Sequence, residues 1–314
     1  SVVLVASPAA PTAGYGVAFL VRNQAEVETA FADEDNADVV TAFAKGFYAE
    51  APEGTKCYVL AMAQATTLAT LFAQANVDKP LLAAAGEARM VAAIKFPAND
   101  YTPTVTDGMD ADVWAAVTAA ETAAADWLSK RKSFRYFVMP FAPVLASLKD
   151  HAAADDRNGH IVIGEIAGSA AAATLLAMGR AAAAGPQENI GKIKLGSLNI
   201  ADTDAVTIDG TEVDLITSAQ LNTLDSKRYI TFERNQVESG FVFTDDNSLV
   251  IASDDYNNLR HGRIIDNAVR VAFTTYYNEL KDDVDVDTGG RLSAVAEKNL
   301  ETVIATAIDR DMRN

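Results

Sequence analysis

From about residue 15 to residue 185, short apolar runs alternate with stretches of helical spacing. That alternation restricts the chain to a largely parallel sheet with helices packed on it. Val17 to Val21 reads as a strand. Val39, Val40, Phe43 and Phe47 then recur at three- to four-residue spacing on a helix that ends before Pro52 and Gly54. Cys57 to Met62 is the next strand, a helix near residues 65 to 75 follows, and Met90 to Phe96 is a strand closed by Pro97. A long helix is predicted from about Asp110 to Lys130, with Val113, Trp114, Val117 and Trp127 toward the sheet. Lys130, Arg131 and Lys132 complement the negative end of its dipole. Phe134 to Met139 reads as strand, Pro140 and Pro143 open a helix through Leu148, and Asn158-Gly159 turns into the strand His160 to Ile163. The Ala-rich segment Gly168 to Ala184 is helical and ends at Gly185-Pro186.

Beyond Gly191 a block of strands precedes a block of helices, which suggests an α+β unit. Val206 and Ile208 face Val213 and Leu215 across Asp209-Gly210, a pair that tolerates the positive φ of a hairpin turn. A short helix spans Ser218 to Leu224, and strands follow at Tyr229 to Arg234, Gly240 to Phe243 and Leu249 to Ala252. Ser253 offers a cap and Asp254 and Asp255 favour the start of a long helix striped by Ile265, Val269, Ala272, Tyr276 and Leu280. A last helix, about Leu292 to Met312, aligns Ala296, Leu300, Val303 and Ala307. The fold class is therefore α/β: a parallel-sheet, Rossmann-like first domain over residues 1–190, flanked by helices, and an α+β second domain over residues 191–314 ending in two long helices. A length of 314 residues favours two domains as well.

The net charge of −17 argues against nucleic acid as a partner, because phosphate binding draws on Lys and Arg displacing counterions. Acidic surface reads either as solubility or as attraction to a basic partner. The lone cysteine, Cys57, excludes an intrachain disulfide and sits in a strand pattern. Ser1 to Val5 is too short for a membrane span and lacks a positive flank, so neither an export signal nor a membrane partner is expected.

Searches for chemistry fail on spacing. His151, His160 and His261 form no i, i+4 pair, so no metal site is expected. Asp283, Asp285 and Asp287 resemble the start of a calcium loop, but Thr288 replaces its sixth-position glycine and Ala294 its bidentate glutamate. Gly185 to Lys192 is one residue too long for a Walker A loop and puts Ile193 at the magnesium position. Gly14-Tyr15-Gly16 lacks the third dinucleotide glycine, and no nucleophile elbow occurs. Asp33, Glu34, Asp35 and Asp38 cluster at a helix start, where they favour its dipole. No cofactor and no catalytic residue is expected.

Tyr229 to Arg234 and Gly240 to Leu249 resemble the paired strands before the final helices of contractile phage tail sheath proteins. Ser253 to Arg270 is similar to the family's run in which an Asp and an aromatic precede an Arg-hydrophobic-hydrophobic-Asp helix, and Tyr277 to Leu280, Asp287 to Gly290 and the closing helix continue the likeness. The helix around Phe43 to Phe47 and the Ala-rich helix with Arg180 resemble a subgroup of the family. The resemblance implies a non-enzymatic subunit that stacks with copies of itself in a helical sheath around an inner tail tube protein, meets baseplate components, and contracts by rearrangement. It also implies a place in a virion tail or phage-like particle, assembled in the bacterial cytoplasm. Asp254, Arg260, Arg263 and Asp266 lie in the best-matching segment and pair either across subunits or internally. Asp283, Asp285 and Asp287 face the tube or a neighbour, or form a solvated loop. Family members join through terminal arms by β-augmentation. Here the chain stops directly after a helix and Ser1 to Val5 reads as a remnant of the first arm, so the arms are expected to be largely absent. The other reading of the pattern is an α/β enzyme or small-ligand-binding protein with a crevice at the strand ends.

Overall fold

The computed structural model describes residues 1–279 and 289–312. The run Val2–Ser7 carries six consecutive buried residues, as a strand covered on both faces requires. It forms β1, an interior strand of an eight-stranded sheet. The reading of Ser1 to Val5 as an arm remnant is thereby corrected, since an uninterrupted apolar run is what a central parallel strand requires. The remaining strands of this sheet are β2 (Ala18–Val21), β3 (Cys57–Ala63), β4 (Met90–Lys95), β5 (Arg135–Val138), β6 (Gly159–Ile163), β7 (Ile230–Arg234) and β8 (Phe241–Phe243). Their spatial order is β8-β7-β6-β5-β4-β1-β3-β2.

The six inner strands run parallel, with Val2 opposite Tyr58 and Val91, Met90 opposite Arg135, Tyr136 opposite Gly159, and Val162 opposite Ile230. The two edge strands are antiparallel to their neighbours. The order reverses at β1, as in doubly wound sheets. Strands from both sides of residue 190 share the sheet. Across that point, Arg180 Nη1 pairs with Glu50 at 3.0 Å, its Nη2 donates to the Gly196 carbonyl at 2.6 Å, and Glu50 accepts from the Asn199 amide at 2.6 Å.

The helices are α1 (Gln24–Ala30), α2 (Ala37–Lys45), α3 (Phe47–Glu50), α4 (Leu68–Leu71), α5 (Gln74–Ala83), α6 (Ala111–Ser129), α7 (Ala170–Ala183), α8 (Ser218–Ser226), α9 (Leu259–Glu279) and α10 (Ala294–Met312). Helices α2 and α3 pack with α7, α4 packs with α6, and both groups meet the strands. The Ala-rich sequence of α7 permits a close approach of backbones. A Cβ on Gly179 would lie 2.4 Å from the Phe47 carbonyl oxygen, and one on Gly46 would lie 2.6 Å from the Leu175 Cβ. Gly179→Ala is therefore expected to overpack this contact and cost about 1–3 kcal/mol. Calorimetry checks this: a midpoint lowered by several degrees is expected, and an unchanged midpoint contradicts so close a packing.

Three local expectations are corrected. Pro140 to Leu148 forms only a 3-10 turn at Leu145–Ser147. Val213–Leu215 is likewise a 3-10 turn, and the hairpin strand ends at Glu212, with Ile208 opposite Thr211. Helix α9 begins at Leu259 rather than after Ser253. The intervening Asp254 carboxylate accepts the Tyr256 amide at 2.8 Å, a local turn that competes with helix.

Candidate assembly surface and strand-end cleft

A cleft of about 360 Å³ opens beyond the C-terminal ends of β4, β5 and β6, lined among others by Lys95, Phe96, Met139, Phe141 and Glu165. This is where parallel sheets usually bind ligands. Its strongest charge is already occupied. The Lys95 amine, 4% exposed, lies 2.8 Å from Asp112 and 3.5 Å from Asp110. It also donates to the Tyr101 hydroxyl at 3.1 Å and sits 4.4 Å from that ring's centre. Asp112 in turn accepts the Leu68 and Ala69 amides at the start of α4, at 2.8 and 3.1 Å. Burial depresses the Lys95 ammonium, but its hydrogen bonds to Asp112 and Tyr101 leave it above the ordinary lysine value. It stays a cation spent on structure. Among the described residues, no group of three or more His, Cys, Asp or Glu side chains is placed to hold a metal.

Helix α9 lies at the opposite end of the strands, against the N-terminal ends of β4 and β5. The side it turns to the body is polar. Asp266, 6% exposed, accepts Arg135 Nε at 2.8 Å, Arg135 Nη2 at 3.0 Å and the Ser133 hydroxyl at 2.6 Å. Arg135 is itself 1% exposed, and its Nη1 donates to the Arg157 carbonyl at 3.0 Å. A Cβ on Gly262 would lie 2.3 Å from the guanidinium carbon, so the helix passes over Arg135 only because position 262 has no side chain. Arg263 donates to the carbonyls of Ala184 and Gly185 at 3.0 and 3.3 Å, closing the C-terminal end of α7. Arg270 Nη2 reaches the carbonyls of Ala88 and Ser133 at 3.3 and 2.6 Å. Burial, with Arg89 nearby, lowers both Arg263 and Arg270 to about 10.

The start of α9 is capped from a distance by Asp246, whose side chain is fully buried. Its carboxylate accepts the Arg260 amide at 3.0 Å and Asn258 Nδ2 at 2.9 Å, with the Arg260 guanidinium at 3.5 Å. Burial pushes this carboxyl up, against the pull of those donors. Sequence reading missed Asp246 because a cap contributed from outside the helix leaves no local signature. Asp254 pairs with Arg157 at 3.1 Å.

All four described candidates thus have partners inside the chain. Asp266 and Arg263 dock α9, Arg260 completes its cap, and Asp254 holds the preceding turn. Asp283, Asp285 and Asp287 lie outside the described residues. The apolar stripe of α9 is only partly covered: Ile265, Val269 and Ala272 are half-buried and Tyr276 is exposed. Helix α10 packs on α9, yet Ala307 is its only buried residue among those described.

No family model matches the sequence, and no curated protein matches it. Solved structures do. The chain superposes over 98% of its length on 76% of the helical sheath subunit of the anti-feeding prophage in its contracted state, with a TM-score of 0.64 and 16% identity. It matches the contracted sheath complex of the PVC extracellular contractile injection system over 99% of this chain and 75% of that one, with a TM-score of 0.56 and 9% identity. A sheath tail protein from Listeria innocua matches over 99% of this chain and 84% of that one, with a TM-score of 0.56 and 8% identity. The chain therefore has the fold of contractile sheath proteins from one end to the other.

Proposed function

We propose that this chain is a structural subunit of a contractile tail sheath, packing with copies of itself in helical rows around an inner tube and contracting by rearrangement against its neighbours. The observation that carries this reading is the end-to-end likeness to a subunit taken from an assembled helical sheath. The cleft chemistry supports the same reading: the Lys95 ammonium is committed to Asp110 and Asp112, and Asp112 to the Leu68 and Ala69 amides, which suits a rigid body better than a catalyst. A Rossmann-like sheet, to which β7 and β8 from beyond residue 190 also belong, serves as that body, and helices α9 and α10 are the part bearing assembly contacts. Baseplate components terminate the rows. The setting is the tail of a phage-like particle assembled in the bacterial cytoplasm.

Sedimentation with a purified inner tube protein tests the proposal. Co-pelleting of this protein with preformed tubes, at a fixed ratio, is expected. A protein that stays monodisperse in the supernatant, and whose unfolding midpoint rises with a small molecule seated beside Lys95, supports the ligand-binding reading instead.

A further inference from the structure

Helices α5, α6 and α9 enclose a groove of about 540 Å³ whose lining includes Leu82, Trp127, Phe273 and Tyr277, with Lys130 and Lys132 at its rim. Apolar side chains there are left open to an unusual degree: Leu82 is 68% exposed and Tyr277 62%. The Phe273 and Tyr277 rings sit 5.8 Å apart on one face of α9. The rim is the sole run of three consecutive cations in a sequence of net charge −17, Lys130, Arg131 and Lys132, all exposed. Lys130 is half committed, 2.6 Å from Asp126 and 4.9 Å from the Trp127 ring centre. Arg131 and Lys132 have no ion-pair partner among the described residues. Asp78, the one carboxylate in the lining, is already bonded to Gln74 and to the Trp127 indole at 2.6 and 2.8 Å.

The occupant that fits an apolar floor under a basic rim is an acidic segment with small apolar anchors. This sequence carries one: Asp282, Asp283, Val284, Asp285, Val286 and Asp287. From Asp283 to Asp287 carboxylates and valines alternate with period two, so that an extended peptide of this sequence carries Val284 and Val286 on one side and Asp283, Asp285 and Asp287 on the other. We propose that the groove receives the Asp282 to Asp287 segment of a second copy of this chain, with valines on the aromatic floor and aspartates paired to Arg131 and Lys132. The inference rests on the sheath reading for the presence of a second copy at high local concentration. It gives Asp283, Asp285 and Asp287 a defined receptor.

Fluorescence anisotropy of a labelled synthetic peptide spanning Leu280 to Thr288, titrated with the full chain, tests it. Saturable binding is expected, weakened about tenfold by Arg131→Glu with Lys132→Glu, as for loss of two exposed ion pairs. Binding is also expected to weaken as salt rises from about 0.05 to about 0.5 M. Leu82→Asp, at a position too exposed to disturb folding, tests the floor and is expected to weaken binding too. Equal binding of a peptide with Asn at every Asp overturns the charge pairing. Binding only to a chain carrying Asp283→Asn, Asp285→Asn and Asp287→Asn shows that each chain fills its own groove, and overturns the assignment to a second copy. No binding to either chain overturns the proposal outright. Co-pelleting with tubes in the absence of peptide binding leaves the sheath reading standing and removes this groove from it.

Discussion

At pH 5 the two buried histidines are expected to make the protein roughly 4 kcal/mol less stable than at pH 7.5. His151 is fully buried between Trp114 and Tyr229, with ring centres 5.4 Å from each, and neither of its ring nitrogens has a hydrogen-bond partner. Burial, reinforced by Lys149, lowers it to about 4. His160 is also fully buried; one ring nitrogen, Nδ1, lies 2.9 Å from the Asn247 carbonyl and the other, Nε2, is unpaired. Burial lowers it to about 3, against the pull of that carbonyl and with help from Arg135 and Arg228. Both folded values lie below the ordinary 6.5, so the contribution is complete above pH 6.5. It is lost as pH falls and the unfolded chain takes up protons that the folded chain refuses. Asp246 acts in the opposite sense, because a carboxyl raised by burial binds its proton more readily when folded, and it trims the loss as pH falls through about 6. Urea unfolding at the two pH values checks this. His151→Phe with His160→Asn is expected to flatten the difference whatever it does to absolute stability, and an unchanged pH dependence contradicts the assignment.

Removal of the Asp266 carboxylate is expected to cost about 3–5 kcal/mol, because it leaves the Arg135 guanidinium buried without its counter-ion. The loss is expected to be local. Among the described residues of α9 only Leu259 belongs to the main apolar core, and the helix is held largely by polar contacts of Arg260, Arg263, Asp266, Asn267 and Arg270. Hydrogen exchange of Asp266→Ala should therefore show lost protection across α9 while β1, β3 and β4 keep theirs. Replacing both partners, Arg135→Met with Asp266→Leu, is expected to recover much of the loss, since no charge is then stranded. Uniform loss of protection through the sheet contradicts a helix docked mainly by polar contacts.

The strands that proved easiest to read, Cys57–Ala63, Met90–Lys95 and Gly159–Ile163, are apolar runs closed by turn residues, and their burial on both faces dictates that composition. The same logic applied to Val2–Ser7, but a chain start looks dispensable when only local pattern is considered. The helices with strong periodicity and caps, α6 and α7, fell where expected. Misreadings gathered where tertiary contacts override local preference: Pro140 to Leu148 forms only a 3-10 turn beside the cleft, and α9 waits for a cap delivered from Asp246. The docking pair Arg135 and Asp266 was half legible. Asp266 stood out within its segment, but Arg135, in a strand 131 residues away, offered no sign of its partner. Nor did Gly262 advertise that its missing side chain makes room for that guanidinium.

Electron microscopy of the full-length protein produced together with its tube protein bears most directly on the central claim. The account predicts hollow sleeves of helical rows around the tube, with each subunit's density fitting the eight-stranded sheet and the α9–α10 hairpin. Bare tubes beside free, monodisperse subunits would contradict it.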